Sequence, residues 1–238
     1  AGQTSRPDHG DSPMVSLHRL RRRLARHGRA CDGFSLPELM IALVVTTATL
    51  GAALMVSGQF SSVYTTQLDD AATREETRYA LRVIEDVLRS AGSNPFGIAT
   101  SVCPAPGTVF RPIDRDPNGN AVMDDIRVHA DVNPPNGLLG GPPCGGDANE
   151  DVTIAYDGPA QTITVLDNNV GGAPAPITDT LITNLQFTYL DSNRAPTVND
   201  NAVSYVQVAI TAQTRTRDVN LGQPRTVTVS SEVRVRAR

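Results

Sequence analysis

The hydrophobic pattern changes period along the chain. Leu39–Val56 reads LMIALVVTTATLGAALMV and is apolar on every side. At ~1.5 Å per helical residue, 18 residues span about 27 Å, close to a bilayer core of ~30 Å. No charged residue lies between Glu38 and Asp69. From Gln59 the pattern becomes two-faced. Phe60, Val63, Tyr64, Leu68, Ala71 and Ala72, then Ala80, Leu81, Ile84, Val87, Leu88 and Ala91, recur at threes and fours. They predict a helix face turned toward a core. Glu75/Arg78, Arg82/Asp86 and Glu85/Arg89 are spaced to pair along the opposite face. Gly92 is a natural residue just past the helix end, and Pro95 a stop. The expectation is one helix from Phe34 to Ala91, 58 residues long, with Gly51 and Gly58 as bend points.

Beyond the helix, Ser93 to Glu150 turns to Pro, Gly, Asn and Asp and reads as mostly loop. A strand is expected at Asp125–Asp131, where Ile126, Val128 and Ala130 alternate. From Asp151 the period is two. Val152, Ile154 and Tyr156 form one strand, and Ile163 and Val165 the next, with a turn at Asp157-Gly158-Pro159-Ala160. Ile177–Asn184 reads as a connector, with a short helix as one option. Leu185, Phe187 and Tyr189 alternate again. Two long strands close the chain, Val203–Thr214 and Arg225–Arg236, with a turn near Asn220–Gly222. An antiparallel sheet of this kind needs cover on one side, and the two-faced half of the helix supplies it. The fold class is α+β, and no internal repeat is present.

Charge sharpens the division. All 21 basic residues are Arg. Arg6, Arg19, Arg21, Arg22, Arg23, Arg26 and Arg29 precede Gly33, as do three acids. From Phe34 onward the chain therefore holds 14 basic and 22 acidic residues, a net charge of −8. That balance argues against direct nucleic-acid binding, which rests on a basic footprint. Met14 is a candidate start, leaving Met14–Gly33 as an Arg-rich leader held in the cytoplasm by the positive-inside rule.

The junction between leader and helix is Gly33-Phe34-Ser35-Leu36-Pro37-Glu38-Leu39. Ser35 and Glu38 have the form of a capping box, and Pro37 is tolerated in a first turn. A carboxylate also suits the helix dipole there. Capping alone does not account for the basic leader or the Gly-Phe step. A secretory signal would be cut after its apolar segment, yet here the helical pattern continues past Val56. The combination of basic leader, Gly33-Phe34, Glu38 and an uncharged run resembles the type IV prepilin family, including the pseudopilins of type II secretion. The later patterns Leu88-Arg89-Ser90-Ala91-Gly92, Asn149–Tyr156 and Leu185–Tyr189 look like the PilW and GspJ minor-subunit group within it.

The resemblance implies a pilin-like fold in these parts: a removed leader 1–33, a transmembrane and assembly half-helix 34–58, an amphipathic half 59–92, and a globular β-rich domain 93–238 with a loop region 93–150. It implies cleavage by a prepilin peptidase between Gly33 and Phe34, N-methylation of Phe34, and an assembly role for Glu38. The expected partners are that peptidase, other major and minor pilins or pseudopilins, and an inner-membrane assembly platform. The expected place is the bacterial inner membrane, single-pass, with a periplasmic domain, and then the filament. The role is structural priming or capping, not catalysis. With Cys31 in the leader, the exported part keeps Cys103 and Cys144, which the oxidising compartment favours as a disulfide; two unpaired thiols are the alternative.

Two other classes compete. One is a membrane-anchored surface binding protein, an adhesin or DNA-uptake subunit, whose loops at 93–150 touch a ligand. The other is an anchored periplasmic enzyme. His9, His18 and His27 lie before Gly33, which leaves His129, and its place on an alternating strand reads as a surface position. There is no Gly-x-Ser-x-Gly, Walker loop or metal-type Cys/His cluster.

One further loop carries chemistry. In Asp114-Arg-Asp116-Pro-Asn118-Gly119-Asn120-Ala-Val-Met-Asp124-Asp125, the spacing follows the twelve-residue calcium loop. Asp114, Asp116 and Asn118 fall at positions one, three and five, Gly119 at the sharp turn, the Asn120 carbonyl at seven and Asp125 at twelve. Asp replaces Glu at the last position, and Val122 leaves the ninth to water. The alternative is a Pro-Asn-Gly surface turn with solvated acids. Ca²⁺ is thus the one candidate cofactor; none is required.

Overall fold

The computed structural model describes residues 33–97, 100–101, 108–132, 134–137, 147–179, 181–218 and 222–236. The expected leader before Gly33, including Met14 and Cys31, lies outside them, as do Cys103, Cys144 and Asn220. The chain divides into two compact units, one ending at Val56 and one beginning at Ser57.

The first unit's described part is helical. Helix α1 spans Leu36–Ser90, 55 residues. Its start follows from Ser35, whose carbonyl accepts the Leu39 N–H at 3.1 Å. Glu38 stands in the first turn, Arg89 in the last. Leu39, Met40, Ile41, Leu43, Val44, Leu50, Leu54 and Met55 are all exposed. Among the described residues α1 is the one helix long and apolar enough to cross a membrane.

The second unit holds the rest of α1 and the strands. These are β1 (Thr100–Ser101), β2 (Thr108–Val109), β3 (Ile113–Arg115), β4 (Asp125–His129), β5 (Asp151–Asp157) and β6 (Thr162–Asp167). There follow β7 (Ala175–Pro176), β8 (Ile182–Leu190), a 3₁₀ turn (Asp200–Ala202), β9 (Tyr205–Arg217) and β10 (Pro224–Arg234). The layout is α+β, and among the described residues every strand pairing is antiparallel. In place of one sheet there are two larger ones, β3-β4-β5-β6-β7 and β10-β9-β8, besides the β1-β2 ribbon. Alternation sets their register: Ile126 faces Ile154, and Ile154 faces Val165. Phe187 faces Val208, and Val233 faces Val206. A one-residue slip would turn every such side chain to the other face. The sheets meet at β8, where Phe187 N–H donates to Met123 O at 2.8 Å and Ile182 N–H to Gln161 O at 3.0 Å. Ile177–Asn184 holds no helix among its described residues; its second half starts β8, because Ile182 is needed in the core.

One core joins helix and sheets. Ala80, Leu81, Ile84, Leu88 and Ala91 pack with Ile126, Ile154, Ile163, Leu185, Phe187, Val206, Val208 and Ile210. Each large apolar side chain buried there contributes roughly 1.5–3 kcal/mol. The expected face is corrected upstream. Phe60, Val63, Tyr64, Leu68, Ala71 and Ala72 are exposed, and Thr66, Thr73 and Thr77 are buried in their stead. Two carboxylates then fix the helix: Asp69 accepts from Thr216 N at 2.7 Å and Thr216 Oγ1 at 2.9 Å, and Glu76 accepts from Asp179 N–H. On the outer face Arg89 takes both Glu85 and Asp86, and Arg74 pairs with Asp70 at 3.2 Å.

The helix ends where expected. Gly92 has φ +76°, and its N–H donates to His129 O at 3.0 Å. A Cβ there would lie 2.8 Å from the Arg236 carbonyl and 3.2 Å from Pro112 Cβ. Gly92→Ala should therefore lower stability by about 1–3 kcal/mol through backbone strain and this clash. Gly58→Ala, where a Cβ meets nothing within 4 Å, should not lower it. Circular-dichroism melts of the two full-length variants check this.

Candidate functional site

The amino-terminal segment is built simply. A Cβ on Gly33 would meet nothing within 4 Å, and its φ lies outside the left-handed region. Folding thus makes no demand for glycine at this position. Phe34 is 76% exposed. Glu38 is exposed on the first turn of α1 and meets no cation among the described residues. The threonines of the apolar run turn their hydroxyls inward. Thr46 Oγ1 donates to Ala42 O at 2.7 Å, Thr47 to Leu43 O at 2.9 Å and Thr49 to Val45 O at 2.9 Å. Such bonds leave no hydroxyl hydrogen unsatisfied in a medium without water.

The Asp/Asn loop lies between β3 and β4. Asp114 sits within β3, opposite Arg127 of β4. The turn itself curls around Asp116, whose two carboxylate oxygens accept Asn120 N–H at 2.9 Å and Ala121 N–H at 2.8 Å. Asn118 Oδ1 also accepts Asn120 N–H at 2.9 Å, and Asn120 Oδ1 accepts Val122 N–H at 2.7 Å. Asp116, Gly119 and Ala121 all have positive φ. Asp125 opens β4 and is 2% exposed; its Oδ2 accepts Asn118 N–H at 3.2 Å. Burial, with Asp116 and Asp124 nearby, pushes the Asp125 carboxyl up to about 6. Asp116, Asn118, Asn120 and Asp125 are thus gathered on one turn, while Asp114 is not. Among the described residues no group of three or more His, Cys, Asp or Glu side chains is placed to hold a metal.

A second polar cluster was not legible in the sequence. Arg127 grips Asp151 with Nε on Oδ1 at 2.7 Å and a terminal nitrogen on Oδ2 at 2.5 Å. Asn168 Nδ2 donates to the same Oδ1 at 2.9 Å. His129 Nε2 lies 3.6 Å from that oxygen, and Nδ1 is 3.0 Å from the Arg111 carbonyl. His129 is therefore half-buried, not the surface residue its strand position predicts. The pairing of β4 with β5 brings Arg127, His129 and Asp151 to one face, since His129 faces Asp151 in register. A period-two pattern shows faces but not which strands are neighbours. The hydroxyl beside this cluster, Thr153 Oγ1, accepts from Asn168 Nδ2 at 2.9 Å.

No protein-family model, no curated protein and no solved structure matches the chain.

Burial holds the His129 imidazole below its ordinary pKa of 6.5, outweighing the pull of Asp151. The unfolded chain then binds the proton more readily than the folded one. The stability contributed is full above pH 6.5 and is lost as pH falls through that range. Urea midpoints of the full chain and of His129→Gln should diverge accordingly. The unmutated chain should lose more stability than the variant between pH 7.5 and 5.5, and parallel curves would contradict the assignment.

Proposed function

We propose that the chain is a minor pilin or pseudopilin, a structural subunit that primes or caps a type IV pilus or type II secretion pseudopilus. The observation that carries the reading is Gly33-Phe34 and Glu38 leading into an uncharged helical run that lasts to Leu68. A glycine the fold does not require fits recognition by a peptidase. The self-bonded threonines fit a helix bound for lipid. Leader removal at Gly33 leaves Phe34 as a free, N-methylated amino terminus, while the apolar helix keeps the subunit in the inner membrane with its domain in the periplasm. Other pilins or pseudopilins and the assembly platform are its partners.

Glu38 then has a task. An acid at the centre of a spanning helix costs roughly 2.5–3.5 kcal/mol, and less near its end. Pairing with the Phe34 amino group of a neighbouring subunit offsets part of that. Two such charges at 4 Å attract by about 4 kcal/mol at an effective dielectric of 20. The exposed Phe60, Val63, Tyr64 and Leu68 offer further apolar surface to neighbours in a filament.

Two outcomes are expected. Amino-terminal sequencing of membrane-extracted protein should read Phe34 first when the host's prepilin peptidase is present, and an uncut chain when it is absent. Chains beginning upstream of Phe34 in the competent host would refute the reading. Glu38→Ala should be cleaved normally and keep its domain folded, yet enter filaments several-fold less; undiminished incorporation would remove the role given to Glu38.

A further inference from the structure

We propose that the free edge of β10 binds an extended strand of another protein, antiparallel to β10 and carrying an acidic residue opposite Arg234. This holds whether or not the chain enters a filament.

β10 is the outer strand of its sheet, paired with β9 on one side and, among the described residues, with no strand on the other. The ladder decides which of its backbone groups are spare. In an antiparallel pair, residues that exchange N–H and C=O bonds alternate with residues that do not. Val235 N–H donates to Ser204 O at 2.9 Å, one step beyond the pair Arg234–Tyr205. Val233, Ser231, Val229 and Val227 therefore turn their backbone groups toward β9. Phe187 sets the same phase from the other side of β9. Its N–H points away from β9 to Met123 O, so its partner Val208 bonds across to Ser231. Thr226, Thr228, Ser230, Glu232 and Arg234 are left with N–H and C=O directed outward, and all five residues are exposed.

This edge is long and lightly guarded. It runs 11 residues. Proteins blunt such edges with proline, bulges and charge. Here those devices sit at the two ends: Pro224, Arg225 and the register shift before Thr226 at one, Glu232 and Arg234 at the other. Between them Thr226-Val227-Thr228-Val229-Ser230-Ser231 carries no charge and no proline, and its Thr and Val favour strands. On the inner face Val229 is only partly buried against the core, so an added strand would cover it. In strand addition the main chain supplies affinity and alternate side chains supply specificity.

Charge selects the occupant. Arg225 pairs with Asp218 at 2.5 Å and Glu232 with Arg194 at 3.1 Å. Arg234 is exposed and forms no ion pair among the described residues. A carboxylate directly across from it would complete that end of the strand. A second β10 does not supply one. Antiparallel pairing about Val229 would set Arg234 opposite Pro224 of the other copy, beside its Arg225, at both ends. Like charges so placed are unfavourable. The fitting partner is a different chain, with Thr or Val alternating after an acidic residue.

The test uses the full-length chain in detergent. The probe is a fluorescent peptide, Glu-Val-Thr-Val-Thr-Val-Thr-Val-Thr, N-methylated on its fourth and sixth residues. Those amides face away from β10, so the probe has one bonding edge and does not stack on itself. Anisotropy should show saturable binding. Hydrogen exchange should slow at the Thr228, Ser230 and Glu232 amides, while Val229 and Val233 are slow before and after. Moving the methyl groups to the fifth and seventh residues should weaken binding at least tenfold. Arg234→Glu should weaken it several-fold, and Arg in the peptide's first place should restore it. Thr228→Pro removes an N–H that β9 does not use, so it should fold and not bind; should it not fold, the two methylated peptides test the edge on the unmutated chain. No saturable binding up to about 1 mM, or equal binding of the two methylated peptides, would overturn the proposal. Dimers in sedimentation, with Thr228 and Ser230 already slow before peptide is added, would overturn the choice of a foreign strand over a second copy.

Discussion

The second unit depends on one contact, the stripe Thr73, Thr77, Ala80, Leu81, Ile84 and Leu88 of α1 against the inner faces of the strands. An isolated helix is marginal in water, and most helical stability in proteins comes from such packing. Short strands of two and three residues, such as β1, β2, β3 and β7, would not hold on their own either. Along the stripe threonine and alanine come first, and leucine and isoleucine follow. Gly92 then turns the chain off the helix, and only a residue without a Cβ fits between Arg236 and Pro112.

Around this core the loops are held by buried carboxylates accepting backbone N–H groups. Asp131 takes Asn136 and Gly137, both at 2.9 Å, and Glu150, fully buried, takes Val132 at 3.1 Å and Asp147 at 2.9 Å. A carboxylate has about four acceptor sites, so it can collect donors that a loop cannot pair within itself. Asp151 uses the same capacity for an arginine fork and an Asn amide. Asp125 follows the same habit, its Oδ2 accepting the Asn118 N–H at 3.2 Å.

The strands were legible because Val, Ile, Phe and Tyr alternate with polar residues. That signal places Ile154 or Val208 on an inner face whatever the strand order. It carries no information on partners, so the split into two sheets and the cluster of Arg127, His129 and Asp151 were not readable. The helix failed differently. Phe60, Val63, Tyr64 and Leu68 form a sound amphipathic stripe by period, and the face actually buried is the one marked by Thr66, Thr73 and Thr77. Period finds a stripe; it does not say which of two stripes on the same helix is the one buried. The Asp/Asn turn shows a related limit: spacing puts Asp114, Asp116, Asn118 and Asn120 at alternate positions, but does not show that Asp114 is held within β3 while the turn curls around Asp116.

Threonine is the residue that reconciles the two halves of α1. In the apolar run Thr46, Thr47 and Thr49 bond back to carbonyls one turn earlier, and on the sheet-facing side Thr66, Thr73 and Thr77 do the same. The Thr77 bond to Thr73 O, at 2.6 Å, is buried. A hydroxyl in water has no need of that partner; one placed in lipid or in a packed core has nothing else. Back-bonding of this kind slightly destabilises and bends a helix in solution, so it is useful where water is absent. The same bond thus recurs on one helix, in an exposed apolar run and on a buried side. A valine in its place would keep the shape, leave no hydroxyl to satisfy, and forgo a polar group that the bond has already neutralised. Threonine at 66, 73 and 77 is therefore compatible with burial, its hydroxyl bonded back to the helix, without being required by it.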